Sequence, residues 1–268
     1  MKFADKGKPL TEAGMKNALE MMGMDPTTEM AVLWSVLTVE SRGFGFLSDR
    51  RPKILFERHI FYKQTDGLFA SEAPDLCAKS GGGYSGGAAE YDRLNRAIEL
   101  CRDAKLGDDP ALRSASWGLG QIMGFNADAA GFNAPADMIQ QMSASEDSQL
   151  IGMANFITSE KLDVKLRNRD WQGFASRYNG SNYWKNEYDV KLQDAFEKFS
   201  KGVNRDLRVR AAQGALLFLG FSPGDPDGVM GQNTRNAIAT FRAANDLGTG
   251  GDLDDAVYAE IMKQAKFE

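Results

Sequence analysis

The sequence predicts a mostly α-helical chain in two parts: a larger helical unit with one small β element, and a smaller three-helix unit at the C-terminus. Three observations lead there. Apolar residues recur at three- and four-residue steps along most of the chain. The single strand-like run, Lys53–Phe56, is short and sits among turn residues. A change of composition at residues 200–206, around SKGVNRD, reads as a linker and separates residues 1–200 from 201–268. Two domains suit a chain of 268 residues. The C-terminal part, at about 60 residues, is small but large enough for one core.

The elements follow in order. Residues 11–24 read as a first helix with Leu19, Met22 and Met15 inward. Asp25 and Pro26 then suit an N-cap and first helical position. The helix they would open carries Met30, Leu33, Trp34, Val36 and Leu37, and Ser41-Arg42-Gly43 ends it. Residues 43–62 change character, with a turn at 48–52 and the strand-like run, which predicts a short hairpin or small sheet. KSGGGYSGG, residues 79–87, reads as a mobile glycine-rich loop. Residues 88–105 are helical, with Tyr91, Leu94, Ile98 and Cys101 on one face. Residues 110–124 begin helical and run into Gly118 and Gly120. Helices are expected over 146–160, 170–178 and 183–198, then over 207–219, 232–245 and 253–264.

Composition excludes several chemistries. There is one histidine, His59, so a histidine-based zinc site is not expected. The two cysteines, Cys77 and Cys101, make no disulfide framework, and nothing around Cys77 supports an activated thiolate. The net charge is −5, without the basic excess of a nucleic-acid binder. There is no HExxH, Walker A, CxxC or G-x-S-x-G motif. No run is apolar enough to span a membrane, and the charged start MKFADKGKPL lacks the apolar core of a signal peptide. The expectation is synthesis in the cytoplasm without an export signal.

Carboxylates remain. Glu40 follows Leu33, Val36 and Leu37 on an apolar helix stripe and lies at the helix end. Desolvation and the helix C-terminus both disfavour its charged form, which suits a general acid near neutral pH. The competing reading is an ion pair with Arg42 or Arg58. Glu57 would share a strand face with Lys53 and Leu55 and could project into a cleft edge. A second carboxylate facing the first is the usual glycosidase arrangement. Its competing reading is an ion pair with Arg51 or Arg58. His59 reads most simply as a packed, hydrogen-bonded group beside Glu57. In SWGLGQIMGFN, residues 116–126, the glycines allow close backbone approach to a ligand. Gln121 there could hydrogen-bond a sugar amide or hydroxyl, with Ser116 beside it. In RYNG, residues 177–180, Tyr178 could offer a ring face to a pyranose and Asn179 both a donor and an acceptor.

Together these stretches resemble a known family. TVESRGFGFL, RPKILFERHIF, GGYSGGAAEYDRL, SASWGLGQIMGFN and RYNGSNYWKNEYDVKL, spanning about residues 25–198, are similar to the phage-type N-acetylmuramidase domain of endolysins of Gram-negative hosts. The resemblance implies a lysozyme-like fold related to goose-type lysozymes and lytic transglycosylases. It also implies cleavage of the β-1,4 bond between N-acetylmuramic acid and N-acetylglucosamine. It places the family's general acid on Glu40 and its second acidic residue on Glu57, with His59, Ser116, Gln121, Tyr178 and Asn179 toward substrate. VRAAQGALLFLGF, DPDGVMG and NTRNAIATFRAANDL resemble a three-helix peptidoglycan-binding domain. The expected contacts there are Asp227, Gly228, Gly231 and Arg235, the last toward stem-peptide carboxylates. Met230 and Arg242 stand where an aromatic and a glutamine are frequent in that domain. The expected partner is the peptidoglycan glycan strand, with no nucleic acid, metal or cofactor, and a monomeric chain. Release from the host cytoplasm to the periplasmic wall would fall to a separate holin-like protein. The alternatives are a lytic transglycosylase giving 1,6-anhydromuramic products and a non-catalytic wall-binding protein.

Overall fold

A computed structural model describes residues 7–41, 44–180, 183–202 and 205–267. Its elements run α1 (Glu12–Met21), α2 (Met30–Ser41), β1 (Ile54–Phe56), α3 (Arg58–Gln64), α4 (Glu90–Asp103), α5 (Asp109–Arg113), β2 (Ala115–Trp117), β3 (Ile122–Met123), α6 (Pro135–Met142), α7 (Glu146–Ser159), α8 (Asp163–Arg167), α9 (Trp171–Tyr178) and α10 (Tyr188–Ser200). The C-terminal part adds α11 (Leu207–Phe218), α12 (Gln232–Ala244) and α13 (Asp255–Gln264). The mostly helical class with a small β element and a helical C-terminal unit is as the sequence predicts. Among the described residues no helix is long and apolar enough to cross a membrane.

Helix starts follow side-chain capping. Thr11, Ser145, Asp170, Asp206 and Asp254 each accept a backbone N–H from the first turn of their helix. A cap of this kind stabilises a helix by about 1 kcal/mol. Asp25 instead accepts from the amide and hydroxyl of Thr27, 2.8 and 2.7 Å away. It caps a turn, so α2 starts four residues later than the Asp-Pro signal suggests. The predicted helix over 183–198 is broken at Glu187, whose φ of 52° is left-handed.

Two cores fill the larger unit. In the first, α1, α2, α7, α9 and α10 bury Met15, Leu19, Leu33, Leu37, Met153 and Phe174 among others, with α10 lying along α2. In the second, the sheet packs on α3, α4, α5 and α6 around Phe56, Phe61, Leu94 and Trp117. The sheet order is β1-β2-β3, all antiparallel, with Ile54 opposite Trp117, Leu55 opposite Ser116, and Trp117 opposite Ile122. The small sheet thus exists, with its strand partners from residues 115–123, while the turn at 48–52 closes a local antiparallel bridge between Phe46 and Pro52. The stretch expected to begin helical gives only α5 before the chain turns extended. Ala115, Trp117 and Ile122 are buried there, and burial against a distant strand overrides local preference. The third core, α11–α13, encloses Leu216, Ile238, Phe241 and Ile261.

The two units meet through aromatics. Phe218 of α11 lies 5.6 Å from Phe44 and 6.3 Å from Phe46, ring to ring. Arg50 stacks over Phe218 and donates to the Ala265 carbonyl.

Candidate active site

α2 is apolar on nearly every side, so its last turn carries Glu40 into a half-buried position. Burial pushes the Glu40 carboxyl up to about 7, against a hydrogen bond from Asn179 that favours the ionised form. Asn179 caps the C-terminus of α9, and its Nδ2 lies 3.1 and 3.0 Å from the two Glu40 oxygens. Its Oδ1 is buried and has no hydrogen-bond partner among the described residues. Of the cations offered as ion-pair partners for Glu40, Arg58 donates instead to the Ser80 and Gly81 carbonyls. Arg42 lies outside the described residues. Asn179 therefore stands on the general-acid candidate itself, a closer role than the sugar contact its motif suggests. In an Asn179→Ala variant the Glu40 carboxyl should titrate higher still, so the alkaline limb of kcat/KM should move to higher pH. A pH–rate profile measures this directly.

The turn between β2 and β3 walls this region. Gly118 has φ +67° and Gln121 φ +47°. A Cβ on Gly118 would come within 2.7 Å of the Gln149 side chain, so glycine is required on two counts. Gln121 Nε2 donates to the Gly118 carbonyl at 2.8 Å and the Lys53 carbonyl at 3.4 Å, and its Oε1 accepts from Ser116 Oγ at 2.9 Å. Tyr178 donates its hydroxyl to the Gly120 carbonyl at 2.8 Å and stacks on Phe174, ring centroids 5.1 Å apart. Burial, and then the nearby Glu40 charge, hold the Tyr178 hydroxyl well above its usual pKa. These three side chains were expected to reach substrate. In the structure Ser116 and Gln121 lock the turn and Tyr178 ties it to α9, so both Gln121 amide hydrogens and the Tyr178 hydroxyl proton are used within the protein and the oxygens keep acceptor lone pairs.

A second group forms at the end of β1. Ile54 and Phe56 are buried and Leu55 half-buried, the alternation that turns Glu57 toward the Leu55 face. Glu57 starts α3 and accepts from the Tyr84 hydroxyl at 3.1 and 3.0 Å. His59 Nδ1 is 3.1 Å from Glu57 Oε2 but is not aligned for a hydrogen bond. Neither proposed ion pair forms: Arg51 is held by Asp49 and Arg58 by the glycine-rich loop. That loop is tied down, contrary to its composition. Arg58 grips Ser80 and Gly81, Tyr84 sits on Glu57, and Glu90 accepts from Ser85 N at 2.5 Å and Gly86 N at 2.9 Å. Tyr84 and Glu90 were not anticipated. A lone aromatic in KSGGGYSGG was the available signal for Tyr84; Glu90 reads in sequence as an ordinary first-turn acid. No hydrogen bond or ion pair joins Glu40 to Glu57 among the described residues. The Cys101 thiol, pushed up to about 11 by burial, is no nucleophile.

Residues 29–200 match the family model described as N-acetylmuramidase. The chain belongs to the N-acetylmuramidase family. The crystal structure of the Burkholderia AP3 phage endolysin is similar at 39% identity and a TM-score of 0.64, covering 74% of this chain and 73% of that one. No curated protein matches significantly. Residues 205–261 match the putative peptidoglycan binding domain. In that module of the muramidase, Asp227 is held by Arg205 at 2.9 Å and accepts from Val229 N at 2.9 Å. Gly228, φ +77°, donates to Gln213 Oε1 at 2.9 Å. Gly231 caps α12, and Arg235 pairs with Asp252 at 2.7 Å on the surface. Asp227 and Gly231 border an open depression of about 320 Å³ that Arg235 does not line. Asp227 and Gly228 are thus turn-builders, and Arg235 stands apart from them.

Proposed function

We propose that this muramidase is an endolysin that hydrolyses the β-1,4 bond between N-acetylmuramic acid and N-acetylglucosamine in peptidoglycan, and so lyses a host cell. The observation that carries the reading is Glu40, a half-buried carboxyl at the end of an apolar helix and bonded by Asn179, whose burial pushes its pKa up to about 7. Its proton passes to the glycosidic oxygen as the C1–O bond breaks and positive charge gathers on the muramic acid ring. Water then adds at C1. Its proton restores the Glu40 carboxyl, and Glu57, held by the Tyr84 hydroxyl, orders that water. Family membership and the match to an endolysin support the substrate class, and the peptidoglycan-binding match supports attachment to the wall. We further infer a monomer that stays in the host cytoplasm until a separate membrane-permeabilising protein admits it to the periplasmic wall.

Mass analysis of muropeptides released from purified sacculi tests the chemistry. Products with a reducing muramic acid end are expected. Products lighter by one water, with a 1,6-anhydro ring, would show a transglycosylase instead. Release of no fragments would leave only a wall-binding protein.

A further inference from the structure

Glu146 is a fully buried carboxylate for which the hydrolysis above has no use. It lies in the first turn of α7 and accepts from Leu10 N at 2.9 Å and Gly45 N at 2.8 Å. Its counter-charge comes from the other unit: both terminal nitrogens of Arg210, on α11, reach it at 2.5 and 2.7 Å. Arg210 is itself only 1% exposed, and its guanidinium lies over the Phe44 ring. Three residues along α7, buried Gln149 accepts from Leu119 N at 2.7 Å and donates to the Met142 carbonyl at 2.9 Å.

These two side chains tie down the chain on both sides of the general acid. Phe44 and Gly45 come four and five residues after Glu40. Leu119 belongs to the turn whose Gly120 carbonyl holds Tyr178, next to Asn179. α11 closes over the first of these segments: Phe218 packs on Phe44, and Gly214 faces it with no side chain. A Cβ on Gly214 would come 2.9 Å from Phe44 Cζ. A buried carboxylate needs a paired charge as well as amide donors. The larger unit supplies the donors, and the binding module supplies the charge.

We propose that the C-terminal module is a working part of the active site, with Arg210 a positioning residue that fixes Phe44 and, through Glu146, Gly45, four and five residues after Glu40. This rests on the reading of Glu40 as the general acid. It follows that the module contributes to turnover of a glycan too short to touch it, in addition to holding the wall.

The test uses the full chain with three substitutions, Arg210→Met, Arg210→Lys and Gly214→Ala, assayed on a short soluble peptidoglycan fragment and for binding to purified sacculi. For Arg210→Met and Gly214→Ala, sacculus binding is expected to match the parent. The kcat on the soluble fragment should fall by about ten- to a hundredfold, the size of effect a small misplacement of a catalytic group produces. KM should change little, the alkaline limb of the pH profile should move, and Arg210→Lys should recover part of the loss. Unchanged kcat and unchanged pH limb in both variants, even with a lower melting temperature, would overturn the proposal and leave Arg210 a stabilising residue only. Should Arg210→Met fail to fold, Gly214→Ala decides, because it removes no buried charge and favours the helix. The parent chain carrying Glu40→Gln is run on the same fragment. Activity retained there would count against the acid assignment and not against the coupling.

Discussion

Replacing Glu40 with glutamine should lower kcat on purified peptidoglycan by about 10²- to 10⁴-fold, the usual contribution of a general acid, while making the folded protein more stable above neutral pH. Both halves follow from one position on α2. The folded-state pKa of about 7 lies above the carboxylate value of 4.5. The folded chain therefore binds the proton more tightly than the unfolded chain. Ionisation begins to oppose folding as pH rises past 4.5 and reaches its full cost above 7. Glutamine keeps an acceptor for Asn179 and cannot ionise. The gain at pH 8 should be on the order of 2 kcal/mol, allowing for partial exposure. Denaturant titrations at pH 5 and pH 8 measure it, and the gap between variant and parent should widen with pH. A structural ion pair at Glu40 would give the opposite sign, a loss of stability on neutralisation. The same measurement thus separates the two readings that the sequence leaves open. In the parent, kcat/KM should fall about tenfold per pH unit above the Glu40 pKa, since only the protonated carboxyl can donate.

Glu40 was legible because its argument is local: three apolar residues at helical spacing and a helix end are written in eleven consecutive positions. The small sheet was half legible. The strand Lys53–Phe56 announces itself by composition, but its partner is Ala115–Trp117, and nothing in a stretch that opens with Asp-Pro-Ala-Leu-Arg shows that the chain will straighten to meet it. The resemblance named candidate residues but could not say what each side chain touches. Gln121, Ser116 and Tyr178 look like sugar contacts by type, and the structure adds that each donates to a partner that only the folded turn brings near. Asn179 shows the same at longer range. Its value lies in a contact across 139 residues to Glu40. Arg210 and Glu146 were out of reach for the same reason, because charged residues in sequence read as surface until a buried partner is in view.

Glu90→Ala should be the most destabilising single change near the site, at about 3–5 kcal/mol, because it strands a buried charge. Glu90 is fully buried and accepts from Phe56 N at 2.9 Å, Ser85 N at 2.5 Å, Gly86 N at 2.9 Å and Arg93 at 3.0 Å. Alanine would leave the Arg93 guanidinium with only carbonyl partners and would free three amides at once. For a unit of this size the melting temperature should drop by roughly 10 °C, as calorimetry can check. Activity should fall with it, because Phe56 directly precedes Glu57 and the freed loop carries Tyr84. The pH dependence runs opposite to that of Glu40. Burial alone would push the Glu90 carboxyl up, but the amides of Gly86, Phe56 and Ser85 and the Arg93 charge together hold it below 4.5. Its contribution is therefore present above pH 4.5 and is lost as the pH falls through the lower folded value. Glu90 penalises acid and Glu40 penalises every rise above 4.5, so between them they favour a narrow stability window centred near pH 4.5, with the Glu40 cost complete above 7. Glu40→Gln should extend that window upward, and Glu90→Ala should flatten its acid side while lowering the whole curve. Were the acid limb of Glu90→Ala to stay as steep as the parent's, other carboxylates would govern acid unfolding and the buried cluster at the end of β1 would not be its trigger.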